Sequence, residues 1–331
     1  MKWLSPILIL SIACAVQWSN TDMSSKMKNL PRLPDARLLV GWTPATLAVT
    51  SSDKTWEVAE GTQYLRIYPS LSIDGTLVAI TRVKARYPLY APPPMSLATY
   101  SLAEGKWTEY ATEYKHIRDF QGSTAISPDN SKLAFAVADP RYDPRVQLHV
   151  IDLRSGAEQR YPVNGRYRGI IVSWSPDGRR VAYDTYPMMP YEGAKARDYR
   201  PEIHILDLET GKSTKIANGN MPAWSPLGEW IAYLDLPDSE YAKRAKNWQA
   251  TPPPPTRLRL VRANGTGSRV LLSGRDLVPP LVWSPDSKMI LLNESRDITG
   301  RVNICTLDLS TLKLTTRFEN TPPVYGWAEA K

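Results

Sequence analysis

The sequence predicts an all-β fold, a six-bladed β-propeller of four-stranded antiparallel blades, and three observations predict it. A turn phrase recurs five times, a second hairpin phrase follows several of its copies, and the two ends of the chain together hold the strands of one more blade. Self-similarity at a spacing of about 50 residues is the mark of blade and solenoid architectures.

The first phrase reads Ser72-Ile73-Asp74-Gly75, Ser127-Pro128-Asp129-Asn130, Ser175-Pro176-Asp177-Gly178, Ser225-Pro226-Leu227-Gly228 and Ser284-Pro285-Asp286-Ser287, with 55, 48, 50 and 59 residues from one Ser to the next. Proline presets φ for a turn, Asp accepts hydrogen bonds from backbone N–H groups ahead of it, and Gly or Asn tolerates the positive φ that closes it. Each copy leads into a short apolar run such as Leu133-Ala134-Phe135-Ala136 or Val181-Ala182-Tyr183, so each predicts a hairpin between a blade's first two strands. Trp174, Trp224 and Trp283 stand directly before the Ser in three copies, and Ile126 takes that place in a fourth.

The second phrase, in His149 to Gly156, His204 to Gly211 and Cys305 to Thr311, predicts a hairpin into a fourth strand such as Lys212 to Ala217. Strands with apolar groups on both faces must be sandwiched between neighbouring blades. The remaining segments, Leu38 to Tyr68 and Val324 to Trp327, combine into the sixth blade, which closes the ring and removes the edges an open sheet would expose.

The segments Trp174-Ser175-Pro176-Asp177-Gly178, Val181-Ala182-Tyr183 and Ile205 to Gly211 resemble the repeat of TolB-like, WD40-like propellers, also met in the propeller domain of prolyl-oligopeptidase-type proteins. The resemblance covers roughly residues 70 to 315. It implies the fold and leaves the activity open, because propellers host binding, scaffolding and several unrelated chemistries.

Composition agrees with a globular β chain: 331 residues, 42% hydrophobic and 22% charged, with 29 Pro and 18 Gly disfavouring long helices. Trp (11) and Tyr (17) far outnumber Phe (3), which favours rings with a polar edge at seams and surfaces. The net charge of +8 eases capture of anionic partners, but the basic residues are spread through the chain and do not form a nucleic-acid patch.

Lys2, the apolar stretch from Trp3 to Ala13 and the small residues around Ala15 read as a secretory signal over residues 1–15, followed by a linker over 16–35 and one propeller domain over 36–331. The apolar run falls short of the ~20 residues a membrane-spanning helix needs. Leu10-Ser11-Ile12-Ala13-Cys14 also resembles a bacterial lipoprotein box, in which Cys14 would be lipidated, although Ser11 stands where that box has Leu. The expected location is periplasmic or extracellular, free or lipid-anchored.

No catalytic constellation emerges. A nucleophile elbow G-x-S-x-G is absent, and Ser127, Ser175, Ser225 and Ser284 occupy equivalent turn positions that the repeat explains without catalysis. His149 and His204 share one repeat position whose other occupants are Arg259 and Cys305, so they read as strand residues between blades and not as metal ligands. Cys305, in an apolar run, reads as a buried structural thiol. Ser51 to Trp56 resembles a sialidase Asp-box that lacks its Gly. No cofactor and no metal are expected.

The sequence instead enlarges the connections between second and third strands, which antiparallel order puts at the end opposite the recurrent turns. They carry Arg86, Tyr87 and Tyr90; Arg141, Tyr142 and Arg145; Tyr186, Tyr191, Arg197, Tyr199 and Arg200; and Lys243, Arg244 and Trp248. Guanidinium forks grip carboxylates, phenol rings give large contact at small entropy cost, and flanking prolines stiffen the loops. The expected function is binding of a protein or peptide in the envelope. The alternatives are a lyase or hydrolase on an acidic polysaccharide, for which the partner is an anionic glycan, and a structural subunit of an envelope assembly. Long solvated connections of no particular role would show the same composition.

Overall fold

The computed structural model describes residues 30–42, 46–60, 68–83, 95–110, 123–139, 143–166, 170–185, 200–237, 239–240, 256–295 and 301–330. They form six four-stranded antiparallel sheets, as the sequence predicts. The chain begins with β1 (Ala36–Trp42), β2 (Thr46–Thr50) and β3 (Thr55–Glu60). Blade one is β4 (Ser70–Leu71), β5 (Leu77–Val83), β6 (Met95–Ser101) and β7 (Lys106–Tyr110). Blade two is β8 (Thr124–Ile126), β9 (Lys132–Asp139), β10 (Asp143–Asp152) and β11 (Glu158–Arg166). Blade three is β12 (Val172–Trp174), β13 (Arg180–Thr185), β14 (Glu202–Asp207) and β15 (Ser213–Asn218). Blade four is β16 (Asn220–Trp224), β17 (Trp230–Asp235), β18 (Thr256–Arg262) and β19 (Arg269–Arg275). Blade five is β20 (Leu277–Trp283), β21 (Met289–Ser295), β22 (Val302–Asp308) and β23 (Leu314–Thr321). The last strand, β24 (Val324–Glu329), pairs with β1 and completes blade six in the order β24-β1-β2-β3.

The innermost strands touch in a closed circle, β4 to β8, β12, β16, β20, β24 and back to β4. Hydrogen bonds tie that circle together on its first four members. Thr124 N donates to Tyr68 O (3.2 Å), Val172 N to Ser123 Oγ (2.9 Å), and Trp224 N to Ser173 Oγ (2.9 Å).

Six hydrophobic clusters fill the six seams, one per pair of neighbouring blades. On four blades an alanine in the second strand (Ala79, Ala134, Ala182, Ala232) faces a bulky set on the next blade, such as Trp174, Val181 and Tyr183 opposite Ala134. Where Leu291 or Leu39 takes the place of the alanine, the facing blade offers Leu38 and Val40, or Val78 and Ile80. Small against large keeps each seam at interior density. With ~1.5–3 kcal/mol for each buried aliphatic side chain, these seams outweigh any single polar contact.

The recurrent phrase forms the hairpin between first and second strands, at the end of the propeller we term lower. The Ser hydroxyl donates to the Asp carboxylate in four copies, Ser72 to Asp74 at 2.6 Å for example, and accepts the N–H five residues on at 2.8 to 3.1 Å in all five. Positive φ falls on Gly75, Asn130, Gly178, Gly228 and Ser287, the position for which most copies choose Gly or Asn. Adjacent turns interlock, with Asn130 Nδ2 donating to Asp74 Oδ2 (2.8 Å) and Leu227 N to Ser287 Oγ (3.0 Å).

Residues 30–35, within the segment predicted as linker, lie against blade six. Leu30 and Leu33 join the seam between blades five and six, and Arg32 donates to Ser51 O and Thr55 Oγ1. Ala330 N meets Asp35 O at 3.0 Å, so the two ends of the propeller are stitched together at the lower end. No helix among the described residues is long and apolar enough to cross a membrane.

Candidate functional site

Antiparallel order fixes the opposite, upper end. Every connection from a second to a third strand, and every connection from a fourth strand to the next blade, leaves and re-enters there. The longest run over residues 111–123, 186–201 and 236–255, whereas the lower-end hairpins are tight.

Of the sequence-predicted rim, Arg86, Tyr87, Tyr90, Arg141, Tyr142, Tyr186, Tyr191, Arg197, Tyr199, Lys243, Arg244 and Trp248 lie outside the described residues, as does Cys14. Arg145 sits near the start of β10, and Arg200, half-buried, lies directly before β14. Both positions are at the upper ends of third strands.

Beneath these connections the roots are clamped by ion pairs. Asp235, at the end of β17, takes a bidentate grip from Arg257 at the start of β18 (Nε to Oδ1 2.8 Å, Nη2 to Oδ2 2.6 Å), and Arg257 Nη2 also donates to Leu236 O at 3.1 Å. Arg259 Nη1 lies 3.6 Å from the same carboxylate. On blade three, Glu202 receives His204 Nε2 at 3.0 Å and pairs with Lys215. Burial alone would raise the Glu202 carboxyl, but the hydrogen bonds from Lys215 and His204 outweigh it and hold the group below its ordinary value. On blade five, Arg275 Nη1 pairs with Glu294 Oε1 at 2.9 Å. The acidic groups at these roots are therefore already matched by cations of the strands themselves. Sequence reasoning missed the clamps, although Asp235 and Arg257 are direct register partners that aligning the strand runs would have exposed.

Two polar side chains of β13 and β21, at the same repeat position, pin the inner circle just below its upper mouth. Asp184 accepts from Ile171 N (2.7 Å) and from Met221 N of the next blade (2.8 Å). Asn293 accepts from Val324 N (2.9 Å) and donates to Val324 O (2.9 Å) and Pro280 O (3.1 Å), likewise joining two blades. Both side chains are wholly enclosed. Burial pushes the Asp184 carboxyl up to about 7 against the pull of its N–H donors. Beside it, at the mouth, the rings of Tyr68 and Tyr325 meet at 6.2 Å and 39°. Burial raises both phenols, and the Asp184 charge adds to the effect on Tyr68.

The remaining candidates take structural places. His149 is fully buried, pairs with Glu158 and packs its ring 5.3 Å from Phe135; burial lowers its imidazole below the ordinary value. His204 stacks on Tyr183 at 5.4 Å. Cys305 is buried among the residues of the seam between blades four and five. The recurrent serines hold turns, and Ser51 with Asp53 forms the lower hairpin of blade six in the same manner. Among the described residues no group of His, Cys, Asp and Glu could hold a metal ion.

No family model matches the sequence. A search of curated proteins finds no match. Solved structures do share the fold. The chain is similar to TolB from Acinetobacter baumannii, with a TM-score of 0.63 and 14% identity over 92% of this chain and 70% of that one. A chain of a nidogen/laminin complex gives a TM-score of 0.58 and 13% identity over 88% and 97%. Hydrazine synthase of Kuenenia stuttgartiensis gives 0.51 and 15% over 85% and 77%.

Proposed function

We propose that this propeller, with the fold of TolB, is an exported binding protein that grips a protein or peptide partner through the Arg-, Tyr- and Pro-rich connections at its upper end. The observation that carries the reading is where its charge resides. The connections leaving the upper ends of the strands contain fifteen Lys and Arg against eight Asp and Glu, an excess of seven, while residues 36–331 as a whole have an excess of only six. Strands and lower turns are thus near neutrality, and one end holds the positive field. A field confined to one end steers and orients an acidic partner before contact.

The clamps at Asp235, Glu202 and Glu294 support the reading, since loops on rigid roots lose less freedom on binding. A propeller of this fold occurs in a nidogen/laminin complex, so the architecture is compatible with a protein partner. On the same reading the protein is periplasmic or extracellular, and the mass of its mature N-terminus tells a cleaved leader from a lipid on Cys14.

The test is partner capture from native envelope extract by the full chain and by a variant with Arg86, Arg145, Arg200 and Arg244 all replaced by Ala. Capture is expected to be lost, with little change in melting temperature, and to weaken with salt as exposed charges are screened over the ~8–10 Å Debye length. Undiminished capture by the variant overturns the rim.

A further inference from the structure

We infer that Asp184 is a proton-operated latch between blades three and four: it holds the upper end of β16 against blade three while its carboxyl is neutral, and lets the two part when the carboxyl ionises in water. Asp184 is the last residue but one of β13 and is wholly enclosed. One oxygen takes Ile171 N of its own blade (2.7 Å) and the other takes Met221 N of blade four (2.8 Å). Met221 is the second residue of β16 and holds φ at 58°, a left-handed conformation uncommon for a residue with a side chain. The pairing of β16 with β17 slips at this point, and the Met221 N–H bonds across the seam. At the upper ends of other seams the corresponding ties are made by groups that do not ionise, the Ser123 hydroxyl between blades two and three and the Asn293 amide between blades five and six. Asn293 joins the next blade through an acceptor and a donor, whereas an ionised Asp184 can only accept.

Among the described residues no cation pairs with this carboxylate. Ile203 stands opposite it on β14, and the flanking Glu202 and His204 alternate to the other face, where His204 stacks on Tyr183. Neither β12 nor β16 carries an ionisable side chain. On β17 and β18 the alternation that turns Ile231 and Val261 into this seam turns Tyr233, Asp235, Arg257 and Arg259 the same way. The three charges are matched to one another, and Tyr233 bonds Ser268. Across the mouth, Tyr68 feels the Asp184 charge and Tyr325 packs on Tyr68. Enclosure without a counter-charge penalises the ionised form, and a carboxyl raised to about 7 agrees with that geometry. Once parted from β16, the group meets water and ionises near its ordinary 3.8. Closure is therefore fully favoured below about 4, loses ground as pH climbs to about 7, and levels off above.

Hydrogen exchange of single amides in the full chain tests this. The Met221 N–H reports the latch, and the Val324 N–H, held by Asn293, is the control within the same molecule. Corrected for the intrinsic rate, exchange at Met221 is expected to rise at least about tenfold between roughly pH 5 and 7 while Val324 stays level. Asp184→Asn should flatten the Met221 trend and leave Val324 unchanged. Exchange at Met221 that does not vary with pH overturns the latch. An equal rise at both amides also overturns it, because the ring would then be opening as a whole, and so does a trend that survives in Asp184→Asn. The comparison of the two amides needs only the native chain, so the latch can be refuted even where the variant does not fold.

Discussion

At the scale of single residues, the carboxyls of this protein divide into two classes with opposite consequences for stability. Asp74 represents the first. Burial would raise it, but hydrogen bonds from Ser72, Thr76 and Asn130 outweigh burial and bring it to about 2. Asp308 is held at about 2 by Ser310 and Thr311. A carboxyl depressed in the folded state contributes stability that is present above the ordinary value of 3.8 and lost as pH falls towards 2. Asp184 is the reverse case. Its folded value of about 7 lies above 3.8, so the unfolded chain ionises first and stability declines as pH climbs from about 4 to 7. Replacing Asp184 by Asn removes that decline. In thermal melts, the variant is expected to gain on the native chain across this window, by on the order of a few kcal/mol, with the gap levelling off above it. A gap independent of pH would show that the carboxyl is not enclosed as described. Asp184 stands in the apolar run of β13 and was legible only as an odd polar residue; that it joins two blades depends on Met221, which is distant in sequence.

Among the elements, the recurrent hairpin was the most legible, because its backbone demands dictate residue types. A turn with positive φ at its last place and N–H groups to satisfy leaves little choice beyond Ser, Pro, Asp and Gly. Blade four shows the demand by departing from it. Leu227 takes the place of Asp, is 75% exposed, and leaves the Ser225 hydroxyl without the carboxylate its counterparts hold. Leu227→Asp is accordingly expected to stabilise the chain by about 1 kcal/mol, read as a raised melting temperature. A neutral or destabilising result would mean that the contact of this turn with Ser287 matters more than the missing acceptor. The upper connections offer no such constraint. Sequence therefore conveyed their composition and their end of the molecule, and nothing of their shape. The clamps beneath them escaped notice for a different reason: pairing Asp235 with Arg257 requires the register of two strands separated by a long insertion. The inner strand of blade one was harder to place, because its copy of the phrase lacks the Trp and Pro that mark most of the others.

For the whole molecule, closure is the governing property. Each blade buries both faces against neighbours, and the seams on either side of blade six depend on β24, the last strand of the chain. The full chain is expected to unfold in one cooperative transition. A chain ending at residue 323 would lose β24, expose Leu38 and Val40 along an unpaired strand, and show a broad transition with dye-binding apolar surface at moderate temperature. A sharp native-like melt of the shortened chain would refute dependence on the closing strand. The stitch between Ala330 and Asp35 means that the first and last residues of the propeller are a cut in an otherwise continuous circle. A circular permutant should therefore be tolerated, with that cut sealed by a short linker and reopened at an exposed lower hairpin such as Ser52 to Asp53, which puts β3 at the new first end and β24, β1 and β2 at the new last end, so that two chain ends still complete blade six. Surface tethers joined at residue 35 or residue 330, the two ends of the propeller, would hold the molecule by its lower side and present the opposite face to solution.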